Sequence, residues 1–263
     1  MQRPLFCSSA IVFGLLLAFT SSSALASTIV LSDDFNKSNQ ALVGTTPNIS
    51  GGAWNQTGAV ATNPIQIVSN AVSLVTSGQD TYAPFTGPVT EMGGNSIHTS
   101  MDIHVSAAQA TGDYFSHLSD PVGTNTLFFQ RLFAKSMSGG FQLGLAVTGG
   151  GGAAINYGTT VLNLNQTYHV DAYWNFVAGA TNDTFDIDVD NMPYFSKTWD
   201  STNAEPLQIS AANFRQGSAG SAPTLTVDNL EVESVPEPTS LALGLLFGLL
   251  GPFVGRELRQ VAV

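Results

Sequence analysis

The ten residues 167–176 read TYHVDAYWNF, and the regular alternation of their side chains decides the fold class. Positions 168, 170, 172 and 174 are apolar and fall on one face of an extended chain, whereas His169 and Asp171 belong to the polar face. A period of two is typical of a half-buried strand in an antiparallel sheet. The same period recurs at 184–191 and at 224–233, which are therefore predicted to be strands as well.

Further short strands are predicted along the rest of the chain between positions 27 and 234. They lie at 28–31, 65–68, 72–75, 97–105, 126–134 and 141–147. Stretches rich in Gly, Asn, Ser and Pro separate them, such as NISGG at 48–52, and these are turn signals. Helical periodicity is scarce, and only 204–214 is predicted to hold one short helical turn. Short strands with frequent turns predict an all-β fold, an antiparallel two-sheet sandwich of the jelly-roll type, in one domain over 27–234.

The composition excludes several classes of protein. The 263 residues carry 8 Lys and Arg against 19 Asp and Glu, a formal net charge of −11, and 43% of them are hydrophobic. This apolar content is too high for a disordered acidic chain. So few cations cannot neutralise a phosphate backbone, and we expect no nucleic-acid partner. The single cysteine, Cys7, precedes the predicted domain, so no disulfide is expected to stabilise it.

Residues 1–26 are predicted to be a signal peptide that directs export. Arg3 supplies a positive charge, and 5–19 form an apolar stretch. Ala24 and Ala26 then give the small-x-small pattern that signal peptidase cleaves. The apolar stretch is shorter than the roughly 20 residues that span a bilayer, which favours removal over a permanent anchor. Signal peptidase is therefore the first expected partner.

Residues 235–263 have the order of a second sorting signal. A short Pro-rich motif comes first, an almost wholly apolar run follows over 239–254, and arginines come last. The motif residues are Val235, Pro236, Glu237, Pro238, Arg256 and Arg259. This segment resembles the PEP-CTERM sorting signal of Gram-negative bacteria. The resemblance implies that an exosortase-type membrane enzyme reads and processes it.

The physical character of this segment agrees with a transient anchor. An apolar run of about 16 residues is marginal for spanning a bilayer. Its arginine flank would be held on the cytoplasmic side of the inner membrane. A plain C-terminal anchor without processing stays open as an alternative. The sorting-signal interpretation places the exported domain at the outer surface or in the extracellular matrix of a Gram-negative bacterium.

The strand order resembles a second family. An early DDF at 33–35 precedes YHVDAYWN at 168–175, FDIDVDN at 185–191 and a closing VDNLEV at 227–232. This order is similar to that of the concanavalin A-like, laminin G-like jelly rolls. The resemblance implies that the closing strand pairs with the first. It also implies a hairpin turn at 190–191, where Asn replaces the family's Gly and tolerates the same left-handed geometry.

The alternating carboxylates Asp186, Asp188 and Asp190 suggest a calcium site, because calcium binds carboxylate oxygens. An EF-hand loop is excluded, because Lys197 stands where its bidentate Glu is needed. Side chains at alternate strand positions are spread about 7 Å apart, which favours a solvated acidic face. A looser calcium site built from strand-end carboxylates and loop carbonyls is left open, and no cofactor is otherwise predicted.

No catalytic or metal-binding constellation emerges from the residues. His98, Asp102 and His104 could line one face of a strand, but no ligand-like spacing recurs, so no metal residue is predicted. The predicted domain has no cysteine, no Gly-x-Ser-x-Gly elbow and no Glu-x-Asp-x-x-Glu motif of the kind that jelly-roll glucanases carry. We therefore predict a protein that is not an enzyme. The alternative, a glycoside hydrolase or lyase on the same scaffold, requires two carboxylates that face each other in a groove.

Aromatic residues beside turns are the better functional lead. Sugar rings stack on aromatic faces and bond to neighbouring amides and carboxylates. The candidate glycan-binding residues are Tyr114, Tyr157, Tyr194 and Trp199. The structural alternative is that these rings pack beneath the rims of the sandwich.

These observations lead to one functional hypothesis. The chain is predicted to be an exported, non-enzymatic surface or matrix protein that associates with extracellular polysaccharide, or is purely structural. Its acidic surface should repel anionic polymers, so an anionic glycan is expected to need a bridging cation.

Overall fold

The structure is a computed structural model that describes residues 26–58, 63–75, 77–91, 95–120, 128–177, 179–218 and 220–236. Strands dominate these residues. They are β1 (Thr28–Asp33), β2 (Gln40–Ala41), β3 (Asn55–Thr57), β4 (Gln66–Val68), β5 (Ala71–Leu74), β6 (Asp80–Thr90), β7 (Asn95–Ala107), β8 (Asp113–Ser119), β9 (Phe128–Met137), β10 (Gly140–Thr148), β11 (Asn156–Tyr157), β12 (Thr167–Asn175), β13 (Thr184–Val189), β14 (Met192–Thr198), β15 (Gln208–Arg215) and β16 (Thr224–Pro236).

Within the described ranges the strands form two antiparallel sheets. The larger sheet has nine strands in the order β14-β13-β12-β7-β16-β5-β4-β2, with β1 also paired to β16. The smaller sheet has seven strands in the order β11-β10-β9-β8-β15-β6-β3. The predicted all-β, two-sheet antiparallel sandwich is thus confirmed for this part of the chain. The predicted terminal helices lie outside the described residues.

The core lies between the two sheets and follows from the alternation along the strands. β12 buries Val170 and Trp174, and β13 buries Phe185 and Ile187. Trp174 reaches across to Phe129 of β9, and the ring centroids are 6.0 Å apart. The inward faces predicted from the period of two are therefore confirmed. Burial of such side chains supplies most of the folding free energy in a domain without disulfides.

The hairpin between β13 and β14 is closed by two residues in the left-handed region. Asp190 has φ 51° and Asn191 has φ 63°, and Val189 pairs with Met192 across the turn. Two consecutive positive φ values define the tight turn whose twist matches antiparallel strands. The predicted turn at 190–191 is confirmed.

The early DDF motif has a structural role at the end of β1. Asp33 is fully buried, and its carboxylate accepts hydrogen bonds from Trp54 Nε1 at 2.9 Å and from the Phe35 backbone N–H at 3.0 Å. Lys37 forms an ion pair with the same carboxylate. A buried charge needs such partners to be tolerated. Asp33 therefore anchors the loop after β1 to the core.

Five strands of the smaller sheet were not predicted from the sequence. Strands β3, β6, β8 and β11 were missed, and the helical turn predicted at 204–214 is wrong, because β15 occupies most of that stretch. β15 pairs with both β6 and β8, with a register shift between Ile209 and Ala211. Such an irregularity breaks the period of two on which strand prediction depends.

The first and last strands run side by side, as the jelly-roll resemblance implied. Thr28 pairs with Ser234, and β16 continues through Val235 and Pro236 beside β7. The cleavage residue Ala24 and the motif residues Glu237, Pro238, Arg256 and Arg259 lie outside the described residues, so both sorting signals stay predictions. Among the residues that are described, no helix has the length and apolar character to cross a membrane.

Candidate functional site

The outer face of the smaller sheet carries an aromatic cluster that is separate from the main core. Tyr114 of β8, Phe133 of β9 and Ala146 of β10 are buried together, with Phe128 and Tyr157 packed against them. The ring centroids of Tyr114 and Phe133 are 5.5 Å apart. The outer face of a sandwich sheet is normally polar, so aromatic packing there marks a candidate binding surface.

Three cations lie over these rings. The guanidinium carbon of Arg215 is 4.1 Å from the centroid of Tyr114, and that of Arg131 is 5.0 Å from it. Lys135 Nζ lies 5.1 Å from the centroid of Tyr157. These distances are those of cation–π contacts. We call this surface the aromatic–cation face, and its members are Tyr114, His117, Phe128, Arg131, Phe133, Lys135, Tyr157 and Arg215.

Burial changes the acid–base properties of the face. It raises the pKa values of the Tyr114 and Tyr157 phenols, and it lowers the pKa of the Arg131 guanidinium. The cause is desolvation, which disfavours the charged form of each group. Both phenols are therefore neutral at physiological pH and can both donate and accept hydrogen bonds.

Strand alternation and one glycine position these side chains. Along β9, Leu132 and Ala134 enter the core, so Arg131 and Lys135 lie on the outer side. Tyr157 lies over Gly144, where an added Cβ would be only 2.6 Å from the Tyr157 Cδ1 atom. A side chain at position 144 would therefore displace the ring.

His117 of β8 is a buried imidazole without hydrogen bonds. It is 3% exposed, and neither ring nitrogen has a hydrogen-bond partner within the part of the chain that the structure describes. Its ring meets Phe128 at 4.6 Å and Tyr114 at 5.5 Å between centroids, both edge to face. Burial, reinforced by the charges of Arg215 and Arg131, lowers the pKa of His117 to about 3. The ring is neutral and offers one donor and one acceptor.

Arg215 also holds two carboxylates at the edge of the face. Its Nη1 donates to Asp113 at 2.7 Å, and its Nε lies 3.7 Å from Asp80. Burial raises the pKa of Asp80 to about 6, although the charge of Arg215 acts in the opposite direction. Asp80 and Arg215 line a polar depression with Ser77 and Ser218. Two carboxyl groups that share one cation are the arrangement here that most resembles acid–base machinery.

The outer face of the larger sheet is polar and differs in character. His98 lies between Asp171 at 2.8 Å and Glu233 at 3.4 Å, and it stacks on Tyr173. His169 bonds to Asp102 at 2.8 Å, and this hydrogen bond raises the pKa of His169. These contacts link β12, β7 and β16. The polar side chains of this face therefore form a network of contacts between neighbouring strands, which accounts for them structurally.

The candidate aromatic residues separate into two groups. Tyr114 and Tyr157 both belong to the aromatic–cation face, where Tyr157 packs against the buried cluster that contains Tyr114. Trp199 is 5% exposed and packs with Trp174 and Phe185 in the core, so its position matches the structural alternative.

Tyr194 also lies away from the face. Its hydroxyl donates to the Thr160 carbonyl at 2.6 Å and accepts from the Leu143 N–H at 3.3 Å. Its ring lies against Gly158, where an added Cβ would clash with it. These contacts fasten the loop before β12 to β14.

The alternating aspartates do not converge on one point. Asp186 accepts from Asn175 Nδ2 at 3.1 Å and from Ser196 Oγ at 2.6 Å, whereas Asp190 accepts from the His169 N–H at 3.0 Å. Desolvation and the neighbouring carboxylates Asp171 and Asp186 raise the pKa of Asp188. Over the described ranges, no group of three or more His, Cys, Asp or Glu side chains is placed to hold a metal ion.

Sequence patterns did not identify His117, Arg131, Lys135 or Arg215 as site residues. A usable signal was present in β9, because Arg131, Phe133 and Lys135 alternate in a chain with only 8 Lys and Arg. His117 and Arg215 gave no comparable signal, since they lie on the strands that were not predicted.

Comparisons with known proteins give structural similarity only. No family model matches the chain, and no curated protein matches it. The CBM2 module of the evolved Dit of Lactobacillus casei BL23 phage J-1 is similar in structure with a TM-score of 0.52 and 14% identity, covering 80% of this chain and 96% of that one. A mutant of the alginate lyase Aly36B in complex with alginate trisaccharide has a TM-score of 0.50 and 15% identity, covering 80% and 100%.

A third structure extends the range of proteins with this architecture. The binding domain of botulinum neurotoxin DC in complex with SialylT has a TM-score of 0.50 and 11% identity, covering 87% of this chain and 52% of that one. At these identities the similarity establishes a shared jelly-roll-like sandwich. The fold is therefore one that occurs in proteins solved with saccharides bound and in a lyase.

Proposed function

We propose that this chain is an exported, non-enzymatic protein of the cell surface or extracellular matrix that binds glycan through the aromatic–cation face. The observation that carries the proposal is the exposed side of this cluster, where Tyr157 and Lys135 border the buried rings of Tyr114 and Phe133. Aromatic faces bind sugar rings by stacking, and adjacent polar groups fix their orientation. The similar structures solved with saccharides support this proposal by analogy of fold.

Glycan-array binding and pull-down with native exopolysaccharide test this proposal. The purified full chain is expected to be retained, and Tyr157→Ala should lose most of the retention because it removes the accessible ring. Tyr173→Ala is the matched control, since Tyr173 lies on the outer face of the larger sheet and stacks on His98. Equal loss in both variants, or no retention of the wild-type chain on any glycan, would refute the assignment.

The route to the surface is a second part of the proposal. Signal peptidase removes residues 1–26, and an exosortase-type enzyme recognises the motif that begins at Val235 and ends at Arg259. The pairing of β1 with β16 is compatible with this, because it places Thr28 beside Ser234, so the two segments join the domain at neighbouring points. Intact mass of the protein recovered from the cell surface tests it. A mass that includes both terminal segments would contradict the processing.

An enzyme on the same scaffold is the second candidate function. The specific observation in its favour is Asp80, whose pKa burial raises to about 6, next to Asp113 across Arg215. Glycoside hydrolysis uses a pair of carboxyl groups, and the one that acts as the acid needs a raised pKa. Release of reducing ends from polysaccharides, abolished in Asp113→Asn, would establish this activity. Ultraviolet absorbance from unsaturated sugar ends would instead identify a lyase.

A further inference from the structure

Two cations on the aromatic–cation face lack the ion pairs that the other cations form. The described residues contain five, Lys37, Arg131, Lys135, Lys197 and Arg215. Lys37 pairs with Asp33, Lys197 with Asp200, and Arg215 with Asp113 and Asp80. No carboxylate of the described chain lies within 4.0 Å of Arg131 or Lys135. Carboxylates outnumber cations in this chain, whose net charge is −11, so a shortage of possible partners does not explain why these two cations are unpaired.

Arg131 and Lys135 lie on the same side of one strand. Both belong to β9, with Phe133 between them on the outer face. Four strand positions span about 13 Å, which is long enough for a chain of more than one sugar ring. The Arg131 guanidinium carbon is 5.3 Å from the Phe133 ring and Lys135 Nζ is 5.1 Å from the Tyr157 ring. The rings of Phe133 and Tyr157 therefore lie between or beside the two positive charges along β9.

Arg131 retains donor capacity in this position. Its Nη2 donates to the Thr148 carbonyl at 2.7 Å, whereas its Nε is buried without a partner among the residues described. A guanidinium carries five N–H donors, so Arg131 can still bind a carboxylate through its terminal nitrogens while it bonds to Thr148 and Tyr114. Burial without a counter-ion costs free energy, and an incoming anion would recover part of that cost.

Neutral polar groups beneath the face lack hydrogen-bond partners. His117 is 3% exposed, and neither its ring nitrogens nor Tyr157 Oη has a partner within the described part of the chain. Because these atoms are themselves buried, a bound glycan would contact the two cations and the exposed part of the Tyr157 ring. The face therefore offers fixed cations beside aromatic surface, which suits a polymer that carries both negative charge and sugar rings.

The two negative groups on the same face share one cation, Arg215. Asp113 accepts from Arg215 at 2.7 Å and from Ser221 Oγ at 3.0 Å, and Asp80 lies 3.7 Å from Arg215. The long-range field of the acidic chain still opposes anions. Attraction must therefore come from short-range ion pairs at Arg131 and Lys135.

We propose that the aromatic–cation face binds a carboxylated glycan, with one sugar carboxylate at Arg131, another at Lys135 and a sugar ring against the exposed part of Tyr157. This inference rests on the proposed function and specifies its ligand class. It also replaces the bridging cation expected from the acidic composition, because the protein supplies the positive charges itself.

Binding of the full chain to three matched polymers tests this assignment. The polymers are a polyuronate, the same polyuronate with its carboxyl groups reduced to primary alcohols, and a sulfated neutral glucan. We expect the polyuronate to bind most tightly, in the presence of EDTA as well as without it. Lys135→Gln loses a charge-assisted contact, so its affinity for the polyuronate should be about tenfold lower than that of the wild type. Lys135→Arg keeps the positive charge at the same position and is expected to bind nearly as the wild type does.

The outcomes separate this inference from the proposed function. Equal affinity for the reduced polymer, or binding of the sulfated polymer alone, would overturn the carboxylate assignment while glycan binding stands. Loss of polyuronate binding in EDTA would overturn the direct role of the cations. No binding to any polymer would refute the proposed function itself. Because Lys135 is partly exposed, Lys135→Gln keeps the test valid even if an Arg131 variant fails to fold.

Discussion

Asp183 is a buried carboxylate whose hydrogen bonds fix the loop after β12. It is 1% exposed, and its two carboxylate oxygens accept from Trp174 Nε1 and from the Val177 N–H, each at 2.8 Å. Burial raises the pKa of Asp183 to about 6, against the effect of these two hydrogen bonds. The residue thus connects the Trp174 side chain to the loop after β12.

Asp183→Asn is expected to lower the free energy of unfolding by about 1–3 kcal/mol at pH 8. An amide has one acceptor oxygen, so one of the two donors would lose its partner. Denaturant unfolding measures the effect. Asp188→Asn is the control, since Asp188 lies on the outer face beside other carboxylates, and it should be neutral or slightly stabilising. Equal losses in the two variants would contradict the argument.

His117 gives a prediction about pH. Its pKa is lowered from 6.5 to about 3 in the folded protein by burial and by two arginines. Between these values the unfolded state binds more protons than the native state, so His117 costs stability as the pH falls. His117→Phe removes this titration. Relative to the wild type, its free energy of unfolding should rise by about 1.4 kcal/mol per pH unit below 6.5.

Thermal or denaturant unfolding of both proteins from pH 8 to pH 4.5 measures this difference. The offset at pH 8 reports the packing cost of the substitution and serves as the internal reference. An offset that stays constant over the whole range would show that His117 protonates freely in the native state.

At the scale of elements, the hairpin between β13 and β14 depends on backbone geometry at Asn191. Its φ of 63° is unfavourable for a β-branched residue. Asn191→Val is expected to destabilise the protein by about 1–2 kcal/mol, whereas Asn191→Gly should cost little. Both variants lose the side-chain amide, so the comparison isolates the backbone. Similar losses on denaturant unfolding would refute the backbone explanation.

Sequence patterning predicted the larger sheet better than the smaller one for a physical reason. Strands such as β12 and β13 have one buried and one polar face, so their side chains alternate. β8 is buried at every position from Tyr114 to Ser119 and has register shifts on both sides of Ser116. A strand covered on both faces loses its alternation.

The same physics limited prediction of the candidate site. The site lies on the strands whose patterns are irregular, and β15 mimics a helix because small alanines at 211 and 212 follow a register shift. Tyr114 and Tyr157 were identified from their aromatic character. Their cationic neighbours could be assigned only once the pairing of β8 with β9 and β15 placed them together.

At the scale of the whole molecule, the adjacent ends predict tolerance to circular permutation. Antiparallel partners such as Thr28 and Ser234 have Cα atoms about 5 Å apart, so a few glycines and serines can join residues 27 and 235. A permutant opened in the exposed turn at Ser69 and Asn70 is expected to keep its β-sheet circular dichroism and cooperative unfolding.

A permutant opened inside β12, between Ala172 and Tyr173, provides the comparison. That strand lies in the middle of the larger sheet and is paired on both sides. Opening it there should prevent folding. Successful folding of the second permutant, or failure of the first, would contradict the inferred role of the paired ends.

The pairing of β1 with β16 also determines how the domain responds to mechanical force. Because Thr28 and Ser234 are neighbours in antiparallel strands, opposed pulling on these two points loads their backbone hydrogen bonds in sequence and not all at once. Peeling of this kind needs little force, so β1 would detach first and expose the edge of β16. The pairing of β1 with β16 therefore stays intact only when Thr28 and Ser234 are pulled in the same direction.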